Sequence, residues 1–146
     1  MNELKNKLYI NGKWRPASDG GTFDVLNPAT EEVITKVANG TVEDAKLCLD
    51  AAEAAFPLWA SKSPRERGEI LRKAFELFSN RIDDIADLIT LENGKGRTDS
   101  IGEARYAAEF FRWYAEEAVR SEGHLGVAPS TGARILVHQK PAGISV

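Results

Sequence analysis

Residues 63–78, with the sequence SPRERGEILRKAFELF, carry the clearest structural signal in this chain. Ser63 and Glu66 have the spacing of a capping box, in which each side chain bonds the backbone N–H of the other residue. Pro64 suits the first position of a helix. Apolar residues then recur with a helical period, at Ile70, Leu71, Ala74, Phe75, Leu77 and Phe78. The stretch therefore predicts an amphipathic helix that begins at Pro64.

A second apolar stripe lies upstream, after Thr41, which suits the N-cap position of a helix. Because proline lacks a backbone N–H, we expect Pro57 to end this helix soon after Ala55. The stripe consists of Ala45, Cys48, Leu49, Ala52, Ala55, Phe56 and Trp59.

The helical period also continues downstream, after a break near Asn80. It runs until Asn93-Gly94, a dipeptide that favours the left-handed end of a helix. A further helix is expected from about Thr98, which makes three or four helices in all. Its inward stripe is Ile101, Ala104, Ala108, Phe111, Ala115 and Ala118 or Val119.

Strands are predicted on both sides of the helices. Asn11-Gly12 suits a type I′ turn, so residues 8–15 predict a β-hairpin. Residues 22–26 and 32–37 predict two more strands, and residues 134–139 predict another in a segment rich in glycine and proline. The chain is therefore expected to be a mixed α and β domain, with strands first, helices next and strands last.

Charge and composition exclude several classes of protein. With 19 basic and 22 acidic side chains, the net charge of −3 argues against binding to nucleic acid or to an anionic membrane surface. No apolar run is long enough to span a membrane, and residues 1–7 lack the apolar segment of a signal peptide. The single cysteine, Cys48, can form no internal disulfide, so we expect a cytoplasmic protein.

The reactive residue types form no catalytic constellation. Cys48 lies in an apolar stripe, which predicts a buried core thiol rather than a reactive thiolate. His124 and His138 are too isolated for a metal site. Asp83-Asp84 and Glu116-Glu117 are neighbours on helices, where adjacent side chains diverge, so solvated faces are expected. Gly94-Lys95-Gly96 lacks the upstream glycine of a phosphate-binding loop.

Tyr106, Phe110 and Trp113 form a second apolar face on the last helix, away from its inward stripe. This face requires a second packing partner. Packing into the core is the favoured interpretation, and a ligand wall or an interface is the alternative.

Several motifs together resemble the aldehyde dehydrogenase family. LYINGKW at residues 8–14 and NPAT at residues 27–30 resemble its opening, and the order of motifs continues along the whole chain. The later motifs are SPRER at 63–67, ENGK at 92–95, RWYAEE at 112–117 and QKPAGI at 139–144. Residues 113–117 and 132–141 look most like the succinate-semialdehyde dehydrogenase branch.

The resemblance implies the N-terminal portion of an α/β aldehyde dehydrogenase fold. It also implies oxidation of an aldehyde, such as succinate semialdehyde, with NAD or NADP as the oxidant. In the family, the nucleophilic cysteine, the base and the nucleotide-binding sheet lie beyond the position of Val146, and Cys48 matches no catalytic position. We therefore expect this chain alone to be inactive, to contain no catalytic residue and to bind neither cofactor nor metal.

The resemblance further implies roles for particular residues. Tyr106 and Phe110 match positions that face the substrate tunnel. Residues 123–141 match a β-arm through which subunits assemble, so Ile135, Leu136 and Val137 are candidate oligomerisation residues. Residues 1–122 would pack on the nucleotide-binding sheet, and residues 123–146 would form the arm and the start of the nucleotide-binding region.

A different class of function also fits the sequence. The chain could be an interaction module that uses the aromatic helix face and the β-arm to bind itself or full-length subunits. Ile135, Leu136 and Val137 on an unpaired strand would favour this association.

Overall fold

A computed structural model describes residues 5–146 of this α/β chain. Residues 1–4, part of the segment predicted to lack a signal peptide, lie outside the described residues. The strands are β1 (Leu8–Ile10), β2 (Lys13–Arg15), β3 (Thr22–Leu26), β4 (Val33–Ala38), β5 (His124–Val127) and β6 (Arg134–Val137). The helices are α1 (Val42–Ser61), α2 (Pro64–Ser79), α3 (Ile82–Asn93) and α4 (Arg97–Glu117). No helix within residues 5–146 is both long and apolar enough to cross a membrane.

The strands form three separate antiparallel pairs: β1 with β2, β3 with β4, and β5 with β6. Asn11 and Gly12 have φ values of 49° and 76°, which confirms the left-handed turn between β1 and β2. Strand β6 ends at Val137, two residues earlier than predicted. Its partner β5 did not emerge from the sequence pattern, because Gly126 interrupts a strand of only four residues.

Helix α2 begins as its capping box predicts. The backbone N–H of Ser63 donates to the Glu66 carboxylate at 2.8 Å, and the Ser63 hydroxyl accepts from the Glu66 N–H at 3.3 Å. The Ser63 hydroxyl also donates to this carboxylate, and that bond lowers the pKa of Glu66. Gly94 ends α3 in the left-handed conformation with φ of 72°, as Asn93-Gly94 predicts.

The predicted end of α1 near Ala55 is wrong, because the helix runs through Pro57 to Ser61. A proline inside a helix leaves the carbonyl four residues earlier, here that of Glu53, without its N–H partner. Glu53 and Pro57 are both exposed, so water can take the place of the missing donor.

The apolar stripe of α1 is also less buried than expected. The helix has its largest contact with β1, and it leaves Ala45, Leu49 and Trp59 exposed. The helical period was right, but the described residues supply little surface to cover that face.

The core between α2, α3 and α4 is built from small side chains. Ala86, Ser100, Ala104 and Ala108 are buried there. Gly68 of α2 faces α4 so closely that an added Cβ would lie 2.8 Å from the carbonyl oxygen of Ala115. Small residues allow helix backbones to approach each other, and here the contact fixes how α2 lies on α4.

A buried carboxylate, Asp44, joins the N-terminal segment to α1. It is 2% exposed and accepts hydrogen bonds from the backbone N–H groups of Ser18 and Thr41, both at 3.0 Å. The hydroxyls of Ser18 and Thr41 donate to it as well, at 2.6 Å and 2.9 Å. The Ser18 hydroxyl, followed by the two backbone donors, holds the pKa of Asp44 far below its ordinary value.

The Gly68 contact predicts opposite effects of alanine at two helical glycines. Gly68→Ala introduces a clash with Ala115, whereas a Cβ on Gly102 of α4 would meet nothing within 4 Å. Both variants gain the same helix propensity, so their difference isolates the clash. We expect Gly68→Ala to be less stable than Gly102→Ala by about 1–3 kcal/mol in urea unfolding. Equal stabilities of the two variants would show that α2 and α4 are not in close contact.

The Asp44 network predicts a loss of stability on acidification. Because folding lowers the pKa of this carboxyl, its contribution is complete above the ordinary value of about 3.9 and declines as the pH falls below it. Asp44→Asn should lower the free energy of unfolding near pH 7, and the difference from the unaltered chain should narrow below about pH 4.

Denaturant unfolding across this pH range checks the result. Asp50→Asn, at an exposed aspartate of the same helix, is the matched control and should have little effect. A deficit of Asp44→Asn that is the same at every pH would exclude the carboxylate charge as its cause.

Candidate functional site

The first turn of α4 contacts both α3 and the turn that precedes α4. The buried Ser100 hydroxyl lies 2.9 Å from the hydroxyl of Thr90 and 3.2 Å from the carbonyl oxygen of Gly96, to which it can donate. Lys95, in the turn before α4, forms an ion pair with Glu103. The Ser100–Thr90 contact with α3, together with the close approach of α2 at Gly68, sets which face of α4 points away from the core.

Arg97 adds two ion pairs between α4 and α3. Its guanidinium donates to Asp87 at 2.8 Å and to Asp83 at 3.0 Å, and these bonds, the one to Asp87 first, raise its pKa. Asp83 is exposed, as expected, but the prediction of a merely solvated carboxylate was incomplete because Asp83 holds this arginine.

The outward face of α4 is aromatic. Tyr106, Phe110 and Trp113 are 66%, 47% and 61% exposed. The rings of Tyr106 and Phe110 meet edge to face, with centroids 5.0 Å apart and an interplanar angle of 80°. We call these three residues the aromatic face.

Packing of the aromatic face into the core, the favoured interpretation from sequence, is wrong for the described residues. The core contact is made by the next residue, Phe111, whose ring centroid lies 5.9 Å from that of Phe78 on α2. A helix can direct Phe110 and Phe111 to different sides because consecutive side chains lie about 100° apart. The ligand wall and the interface remain as interpretations of the aromatic face.

The third hairpin, β5 with β6, presents a second exposed apolar surface. Leu125 lies opposite Leu136 in the register, and Gly126 lies opposite Ile135. Ile135, Leu136 and Val137 are all exposed. The prediction of an unpaired strand is corrected, since β6 pairs with β5, but the apolar side chains are uncovered.

The remaining candidate residues are scattered. Cys48 is only half-buried, so the expectation of a fully buried thiol is wrong. His124 begins β5, and His138 lies exposed just after β6. Among residues 5–146, no group of three His, Cys, Asp or Glu side chains is placed to hold a metal ion.

The turn at residues 94–96 does not fit the phosphates of a nicotinamide dinucleotide. The glycine-containing turn at residues 94–96 ends α3, and Gly94 lies against Pro28, where an added Cβ would be 2.8 Å from the proline ring. The ammonium group of Lys95 in this turn forms an ion pair with the Glu103 carboxylate. The turn is a helix connection and offers no phosphate cradle.

Comparison with known proteins shows which family this chain matches. Residues 14–146 match the model of the aldehyde dehydrogenase family. The chain belongs to the aldehyde dehydrogenase family. The motifs that resemble this family are therefore motifs of one of its members, and the order of elements agrees with its fold.

Two curated relatives match nearly the whole length of this chain. It is 37% identical over 144 residues to succinate-semialdehyde dehydrogenase [NADP(+)] 1 of Schizosaccharomyces pombe, a match that covers 99% of this chain and 29% of the relative. It is 38% identical over 142 residues to glutarate-semialdehyde dehydrogenase of Pseudomonas putida, covering 97% of this chain and 30% of that relative. The chain thus spans less than a third of their length.

Solved structures confirm the fold. An aldehyde dehydrogenase from Brucella melitensis biovar abortus is 44% identical, with a TM-score of 0.84 over 90% of this chain and 27% of that one. PnpE in complex with nicotinamide adenine dinucleotide is 32% identical, with a TM-score of 0.82 over 87% of this chain and 26% of that one.

The exposure of the aromatic face predicts different effects of one substitution at adjacent positions. Phe110→Ser should lower the free energy of unfolding by no more than about 1 kcal/mol, because the residue is about half exposed and its ring contact is with Tyr106 on the same exposed face. Phe111→Ser should lower it by about 2 kcal/mol or more, because this ring packs against Phe78. Urea unfolding of the two variants measures the difference. Equal losses would mean that Phe110 also belongs to the core.

Proposed function

We propose that this chain is the N-terminal portion of an NAD(P)-dependent aldehyde dehydrogenase that oxidises a semialdehyde, with succinate semialdehyde as the first candidate. The observation that carries the proposal is the identity of 37–38% to the succinate- and glutarate-semialdehyde dehydrogenases over nearly the whole chain. The substrates in those two names share an aldehyde at one end and a carboxylate at the other. The proposed substrate class is therefore a short aldehyde with a distal carboxylate.

The aromatic face supports a role for this chain in substrate entry. We propose that Tyr106 and Phe110 form one wall of the passage along which the aldehyde reaches the reacting centre. Their edge-to-face contact holds the two rings as one apolar surface. Such a surface suits the methylene groups between the two ends of a semialdehyde, and it would exclude water from that side.

The chemical step would depend on groups outside these 146 residues. Bound NAD or NADP would accept hydride from the substrate. The chain's single cysteine, Cys48, is half-buried on α1, while the aromatic face lies on α4. A catalytic thiol is commonly activated by a base within hydrogen-bond reach, and within residues 5–146 no side chain forms such a bond with Cys48. We therefore propose that the chain alone is inactive and holds no cofactor.

A chimera tests the activity and the role of the aromatic face together. In it, this chain replaces the matched portion of the Schizosaccharomyces pombe relative. We expect no reduction of NAD or NADP by the chain alone with succinate semialdehyde, and turnover by the chimera. Phe110→Ala in the chimera should lower kcat/KM about tenfold, or by about 1.4 kcal/mol of transition-state stabilisation, through loss of the wall.

The matched control is Phe23→Ala, at a phenylalanine of β3 that is 51% exposed, close to the 47% of Phe110. It should leave kcat/KM unchanged. Equal kinetics of the two variants would overturn the role of the aromatic face. Turnover by the chain alone that Cys48→Ala abolishes would overturn the proposed inactivity.

A second candidate function is a non-catalytic interaction or assembly module. The exposed apolar surface of the third hairpin favours it, since contiguous apolar surface in water marks an association site. Under this proposal, Ile135, Leu136 and Val137 bind a second copy or a full-length aldehyde dehydrogenase subunit. The boundary between residues 122 and 123 and the cytoplasmic location stay predictions under both proposals.

Sedimentation tests the assembly module. If the third hairpin mediates self-association, the chain should sediment as a concentration-dependent oligomer, and Leu136→Lys should shift it to monomer by placing a charge in the contact. Leu58→Lys is the control, because Leu58 of α1 is 68% exposed and Leu136 is 79% exposed. A monodisperse monomer at high concentration, or equal effects of both lysines, would contradict self-association through this hairpin.

A further inference from the structure

We draw no further inference here: the strongest candidate, the surface groove between α2 and α4 lined by Arg65, Arg72, Arg112 and Arg120, carries no proposal, because neighbouring glutamates pair with three of these arginines and nothing in the structure shows what would cover it.

Discussion

The close approach of α2 to α4 at Gly68 is the contact on which the helical part of the chain depends. With only 2.8 Å between an added Cβ and the Ala115 carbonyl oxygen, the helices can keep this separation only if position 68 has no side chain. The residues that α4 directs inward earlier in the helix, Ala104 and Ala108, are small as well. Once this side of α4 is committed to the core, its opposite side must face outward, and that side carries Tyr106, Phe110 and Trp113.

A core of small residues buries little apolar area, and the structure leaves many larger apolar side chains exposed. Many of them lie on α1, on the aromatic face and on the third hairpin. Exposed apolar surface of this extent usually marks contacts with other protein or with ligand. The chain spans less than a third of the length of the curated aldehyde dehydrogenases that it matches. These surfaces are the basis of both functional proposals.

The sequence predicted features that depend on neighbouring residues and missed those that depend on distant ones. The Ser63–Glu66 capping box and the Asn11-Gly12 turn are local, and both are present. Thr41 was recognised as an N-cap, but the Ser18 donors to Asp44 come from 26 residues away and no local pattern indicates them. Pro57 was misjudged because the cost of a lost helical bond depends on solvent access, which only the packing of α1 reveals.

Amino-acid order alone therefore determined most of the element types and boundaries, because caps, turns and apolar periods act over a few residues. The family was indicated separately, by motifs that resemble those of its members. Amino-acid order also showed that α4 has two apolar faces. Only the tertiary structure decided which face is buried, since that choice depends on how α4 packs against α2 at Gly68 and against α3 at Ser100. It also decided that Phe111 belongs to the core and Phe110 to the surface, which makes the aromatic face available for the proposed contact with substrate.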